Sequence, residues 1–178
     1  NISNLLHETD ILLNSMGIKM MEFLGCDIKS VPSPWLLPYD VYEIGCHPDL
    51  NAYTGFSNEI SVDPKKFTER YAGGHIHMEV GEMSKDEACE LVKLFDVHAG
   101  VKSVLWGDEL WSVKRRQVYG KAGSFRHRED KGIIEYRTPD AGWLWTTGGF
   151  EQLADAMLTA FNQFKAGNRV TEDYSRHI

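Results

Sequence analysis

The sequence predicts an α+β domain, built on a mainly antiparallel sheet with helices on one face and the other face left open. Three observations lead there. Stretches with a period of two and stretches with a period of 3.6 follow one another irregularly, without the regular strand and helix alternation of a parallel sheet. Two of the strand-like stretches, Tyr71-Ala72-Gly73-Gly74-His75-Ile76-His77-Met78-Glu79-Val80 and Ile133-Ile134-Glu135-Tyr136-Arg137, are polar on one face and apolar on the other. A chain of 178 residues, 42% hydrophobic and 25% charged, has the size and composition of one ordinary globular domain. We place that domain at residues 1–170 and read 171–178 as a tail.

In chain order, Ile2, Leu5, Leu6, Leu12, Leu13 and Met16 recur at helical spacing, so an amphipathic helix opens the chain, ends at Gly17 and is expected to lie on the sheet. Residues 19–24 read as a strand. Pro32, Pro34 and Pro38 remove amide donors and make the next segment a loop. A short strand at 41–45 runs into Cys46-His47-Pro48-Asp49, where Asp49 has the place of a turn residue. The polar stretch 54–69 is an exposed excursion, with Phe56 and Phe67 as its anchors.

After the His-x-His strand, Ser84 and Glu87 form a capping box, and Ala88, Leu91, Val92 and Phe95 follow on one helical face. Residues 104–118, with Trp106 and Trp111, are a less periodic helix or loop. Strands at 125–128 and 132–138 flank a turn at 129–131 and suggest a hairpin. Trp143 and Trp145 pack in the core or rim a pocket. Phe150, Leu153, Ala154, Met157, Phe161 and Phe164 mark a long closing helix, stopped by Gly167.

The formal charge of −7 and a pI near 5.5 argue against general nucleic-acid or membrane-surface binding. Lys114, Arg115, Arg116, Lys121 and Arg126 form a local exception punctuated by Gly120 and Gly123, either a cradle for a small polyanion such as a nucleotide or simply a solvated charged face. These glycines do not match a Walker A loop. Cys26, Cys46 and Cys89 are odd in number and widely spaced, which suggests neither a disulfide framework nor a cysteine zinc site, and points to a reducing compartment. Cys46 beside His47 is either a nucleophile or a small buried residue. No apolar run approaches the ~20 residues that span a bilayer, and no signal peptide is visible.

On a strand, His75, His77 and Glu79 share one face, and Glu135 and Arg137 share one face of another. His-x-His suits a shared metal or phosphate, or simply two surface histidines. Gly73 and Gly74 ahead of the pair let a backbone or a ligand come close. Glu135 and Arg137 are either an exposed ion pair or a carboxylate for Mg²⁺ beside a guanidinium that grips a phosphoryl or carboxylate group.

Four motifs then point to a family. Gly45-Cys46-His47-Pro48-Asp49-Leu50-Asn51-Ala52-Tyr53, Ala72-Gly73-Gly74-His75-Ile76-His77-Met78, Arg115-Arg116-Gln117-Val118-Tyr119-Gly120-Lys121-Ala122-Gly123-Ser124-Phe125-Arg126, and Ile134-Glu135-Tyr136-Arg137-Thr138-Pro139-Asp140 followed by Trp143-Leu144 resemble the phage-associated COOH-NH2 ligases of type 2. These are glutamine synthetase-like amidoligases, related to glutamate-cysteine ligase. The resemblance implies an ATP- and Mg²⁺-dependent ligase that joins a small-molecule or peptide carboxylate to an amine through an acyl phosphate, in the cytoplasm of a bacterial host if phage-encoded.

Carried over by motif, His75 and Glu135 would be metal ligands. His77, Arg115, Arg116, Lys121 and Arg126 would meet ATP phosphates, with Glu135, Arg137 and Arg126 catalytic and Asp49 a substrate or cation contact. Family members usually carry an N-terminal portion, and here that portion or a partner chain is expected to supply further carboxylates, with oligomers formed through sheet edges. Two other readings compete: a structural or interaction protein of a phage that keeps the fold, and a metal-dependent hydrolase holding Zn²⁺ with His75 and His77.

Overall fold

The computed structural model describes residues 2–17, 25–27, 49–58, 69–106, 109–172 and 178. The expected strands at 19–24 and 41–45, the proline loop, Cys46, His47 and Phe67 lie outside these residues. In order, the elements are α1 (Ile2–Ser15), β1 (Gly25–Asp27), β2 (Leu50–Asn51), β3 (Glu69–Tyr71), β4 (Ile76–Glu79), α2 (Lys85–Phe95), α3 (Val101–Ser103), α4 (Glu109–Val118), β5 (Ser124–Arg128), β6 (Ile133–Tyr136), α5 (Gly142–Trp145) and α6 (Gly149–Lys165).

The domain is α+β, as the patterning predicts. Its main sheet has the order β2-β5-β6-β4 and is antiparallel throughout, while β1 and β3 form a separate antiparallel pair. The β5–β6 hairpin turns through a 3₁₀ segment, Glu129–Lys131, and Gly132 at φ 61°, a conformation that costs glycine little.

Register sorts the side chains. Ile76, Tyr136 and Phe125 stand side by side across β4, β6 and β5, and one step along the strands His77, Glu135 and Arg126 stand side by side on the opposite face.

The apolar face is covered by α2 and α6. The capping box of α2 is present, with Ser84 Oγ accepting from the Glu87 amide and the Glu87 carboxylate accepting from the Ser84 amide. Behind that cap Leu91, Val92 and Phe95 are fully buried against Phe125, Ile134 and Tyr136 of the sheet and Leu153, Met157, Ala160 and Phe164 of α6. Each large apolar side chain withdrawn from water in this way stabilises the fold by about 2 kcal/mol. The closing helix ends as expected, with Gly167 at φ 89°.

Two expectations fail. Helix α1 does form, and Gly17 follows it at φ 75°, yet it packs against α5 and α6 and not on the sheet. The apolar face of the sheet is already taken by α2 and α6, so Leu5, Ile11, Leu12 and Met16 stay exposed. Phe56 is no anchor, since it is 76% exposed at the tip of the turn after β2.

Past α2 the helix widens into a π-helical turn, Asp96–Gly100, a form that frequently accompanies functional sites. It seats Asp96, wholly buried, behind β6. Tyr136 Oη donates to Asp96 Oδ1 at 2.6 Å and Thr138 Oγ1 donates to it at 3.3 Å. Burial pushes the Asp96 carboxyl up to about 7, against the hydrogen bonds from Tyr136 and its neighbours. Tyr136 and Thr138 flank Arg137 in sequence, so this anchor grips the end of β6 from the core side.

Candidate functional site

The polar face of β6 gathers most of the charges singled out in the sequence. Arg137 Nη1 donates to Glu135 Oε1 at 2.7 Å, and His75 Nδ1 lies 3.1 Å from the same oxygen. Arg126 Nη1 is 3.5 Å from Glu135 Oε2. Arg137 Nε is 3.3 Å from Asp49 Oδ2, close enough for charge attraction but not aligned as a hydrogen bond. Glu135 and Arg137 are therefore not an exposed surface pair. Their side chains are 12% and 3% exposed, and Arg137 bridges Glu135 to the equally buried Asp49. Asp49 is thus a member of the site and not only a turn residue.

Local backbone brings His75 into place. Gly74 donates its amide to the Pro139 carbonyl and accepts from the Trp143 indole, and Gly73 bridges to Asp140. A Cβ on Gly74 would collide with the Asp140 carbonyl and the Trp143 indole nitrogen, so only glycine allows β4 to cross this close. The His75 ring folds back over Gly73, which buries Nε2 without a partner among the described residues.

Electrostatics fix the protonation states. Burial, then the Arg137 charge, lowers His75 to about 4 although Glu135 pulls the other way. Burial by itself would raise Glu135, but Arg137, Arg126 and His75 together outweigh it and hold this carboxyl below the usual carboxylate range. At neutral pH the pair is a neutral imidazole beside an ionised carboxylate, Nδ1 lying 3.1 Å from Oε1.

The basic run divides in two. Arg115 turns inward from α4 and spends its fork on three backbone carbonyls: Thr138 at 2.8 Å, Arg137 at 2.9 Å and Pro139 at 3.0 Å. It also stacks over Tyr119, 4.7 Å from the ring centre, and Gly120 leaves room for its guanidinium. Arg115 thus braces the strand that carries Arg137; at 1% exposed it does not reach solvent, although its Nε has no hydrogen-bond partner among the described residues. Arg116 is half-buried, and its Nε and one terminal nitrogen have no hydrogen-bond partner among the described residues. Arg126 and Lys121 are half-buried, and His77 is exposed opposite Glu135 in the sheet register.

Mg²⁺ takes several oxygen ligands. Among the described residues no group of three His, Cys, Asp or Glu side chains is arranged to hold a metal, and the two carboxylates nearest the site, Glu135 and Asp49, each already face a guanidinium. These residues do not fit a Mg²⁺ site by themselves. The same finding removes support from a zinc site on His75 and His77. The guanidiniums of Arg126 and Arg137 stand beside the carboxylates of Glu135 and Asp49, with the His75 imidazole against Glu135.

Sequence reasoning missed the parts that brace this site. Asp96 lies outside the motifs, and Tyr119 and Asp140 lie within them without an assigned role. Asp140 is buried, accepts from Ser112 Oγ and from the Gly142 amide, and so ties α4 to α5. Tyr119 donates to the Tyr71 carbonyl at 2.7 Å and stands edge-on to His75. The available signal is position: Tyr119 and Asp140 stand inside the motifs, and Asp96 directly follows the apolar face that ends at Phe95.

No helix among the described residues is long and apolar enough to cross a membrane. No curated protein and no solved structure matches the chain. Residues 62–168 match the family model described as phage phiEco32-like COOH.NH2 ligase-type 2, a span that holds β3 to α6 and every charged residue of the site except Asp49. On that match, over more than half of its length, the chain belongs to the phage phiEco32-like COOH-NH2 ligase type 2 family.

Proposed function

We propose that this protein is an ATP-dependent carboxylate–amine ligase. The observation that carries the reading is the joining of His75, Glu135, Arg137 and Arg126 on the polar face of the sheet. Family membership supports the bond that is made. Bound ATP would supply the phosphoryl group that turns the carboxylate into an acyl phosphate, which the amine opens with release of phosphate.

This chain's residues do the positioning and charge neutralisation on which phosphoryl transfer depends. Arg126, Lys121, His77 and the unfilled donors of Arg116 take anionic oxygens. Arg137 orients the carboxylate substrate and is itself aimed by Glu135 and Asp49. His75, neutral, fixes Glu135 without adding charge. Oxygen ligands for a nucleotide-bound Mg²⁺ would come from a further segment or a partner chain.

The test supplies MgATP, a carboxylate and an amine, and follows ADP and phosphate. Release is expected only with both substrates present, and His75→Ala or Glu135→Ala should abolish it. Full turnover in the Glu135 variant sinks the assigned role. One observation favours a second reading, an interaction protein that keeps the fold: Arg137 is already hydrogen-bonded to Glu135 and faced by Asp49. Calorimetry showing no binding of MgATP would favour it.

A further inference from the structure

The carboxyl of Asp96 lies wholly buried in the π-helical turn after α2. Packing alone gives no reason for it, because an apolar side chain of comparable size fills a core at less cost than a carboxyl taken out of water. Its partners do give one. Tyr136 Oη donates to Oδ1 at 2.6 Å, and Thr138 Oγ1, 3.3 Å from the same oxygen, also lies 3.0 Å from the Lys121 carbonyl. Gly100, at the other end of the turn, leaves room for this contact: a Cβ there would stand 2.5 Å from Tyr136 Oη and 3.1 Å from Asp96 Oδ1.

The two hydroxyls come from the residues on either side of Arg137. Side chains alternate along an extended chain, so Tyr136 and Thr138, both fully buried, point into the core while Arg137 points to the polar face. Regular pairing stops short of Arg137. Strand β6 ends at Tyr136, its ladder to β4 ends there too, and the next contact on that side is the single bridge of Gly73 with Asp140. On the other side the Arg137 amide donates to the Ser124 carbonyl at 2.9 Å. Arg115 fixes the carbonyls of this segment, and Asp96 fixes the side chains that flank the arginine.

We propose that Asp96 is a positioning residue, which from the core side sets the direction in which Arg137 leaves the backbone and so holds its guanidinium against Glu135 and Asp49. The inference rests on the ligase reading for the use made of Arg137. Asp96 itself, buried behind the sheet, meets neither substrate nor nucleotide.

The experiment follows hydrogen exchange of the Arg137 Nε proton by NMR in the whole chain, together with turnover of MgATP, carboxylate and amine. Asp96→Leu removes the acceptor, Asp96→Asn keeps an acceptor oxygen, and Val92→Ala weakens the same core without touching a hydroxyl. At urea concentrations that give Asp96→Leu and Val92→Ala equal stability, exchange in Asp96→Leu should be about tenfold faster. Asp96→Asn should exchange like the wild type. Turnover should fall in Asp96→Leu and return in Asp96→Asn. If Asp96→Leu does not fold, the double variant Tyr136→Phe and Thr138→Val, which removes only two oxygens, carries the same expectation.

Exchange in Asp96→Leu no faster than in Val92→Ala overturns the proposal, and so does an Asp96→Asn protein that exchanges as fast as Asp96→Leu. Failure of the ligase reading looks different. Faster exchange in Asp96→Leu, with no turnover even in the wild type, keeps Asp96 and removes the ligase. Wild-type turnover that survives in Asp96→Leu with unchanged exchange keeps the ligase and removes Asp96.

Discussion

Replacing Glu135 with Gln keeps the shape of the side chain and deletes the charge shared by Arg137, Arg126 and His75. Its cost can be worked from the geometry. The Arg137 contact is 2.7 Å long, between side chains 3% and 12% exposed. Removing one partner of such a buried pair costs about 3–5 kcal/mol, because the remaining charge stays out of water. The Arg126 contact, at 3.5 Å from a side chain 27% exposed, contributes less than about 1 kcal/mol. Arg137 retains Asp49 at 3.3 Å, and the amide keeps one acceptor, so the loss belongs at the lower end, about 3 kcal/mol.

Urea unfolding at pH 7 of Glu135→Gln, Arg137→Met and the double variant measures this directly. The cycle should show a coupling of about 2 kcal/mol between the two positions. If the singles add, or Glu135→Gln unfolds within about 0.5 kcal/mol of the wild type, the pair does not assemble the site and the reasoning is refuted.

Four further outcomes are expected. His75, held at about 4 by burial and Arg137, refuses a proton that the unfolded chain takes up below 6.5; stability should fall on acidification between those values by up to about 1.4 kcal/mol per pH unit, and an NMR midpoint above 6 for His75 would falsify the assignment. Asp96 has the opposite sign: its folded carboxyl stays protonated up to about 7 while the unfolded one ionises near 3.8, so the wild type loses stability relative to Asp96→Asn as pH rises through that window, and parallel curves at pH 4.5 and 7 would contradict it. Gly74→Ala should cost about 3 kcal/mol or more, since the atoms in the way are the Asp140 backbone and a pinned indole; thermal denaturation close to that of the wild type would show that the crossing can relax. Arg115→Lys loses the fork that holds three carbonyls, and should destabilise by about 2 kcal/mol while weakening phosphate binding only through the displaced strand; loss of phosphate binding at unchanged stability would return Arg115 to the anion site.

Some of this site was readable without coordinates. Alternation placed His77 with the cluster and Ile76 with the core, because the period of two in a strand is a covalent fact that tertiary structure cannot override. The capping box at Ser84 and Glu87 is likewise local, closing within one turn of helix. The basic run left direction open, because five cations spread over residues 114–126 carry no mark of it. Helix α4 turns Arg115 to the inside, while Arg126 stands on β5.

What the order of residues decided, then, is the kind of element at each place and the face each side chain takes, since both follow from short-range geometry. The partners across strands were settled only when the chain closed. Asp49 meets Arg137, His75 meets Glu135 and Asp96 grips Tyr136 across gaps in sequence that no periodicity encodes. Even the destination of α1 was a tertiary matter: its apolar stripe predicts that it must be covered, but α2 and α6 occupy the apolar face of the sheet, and α1 meets α5 and α6 instead.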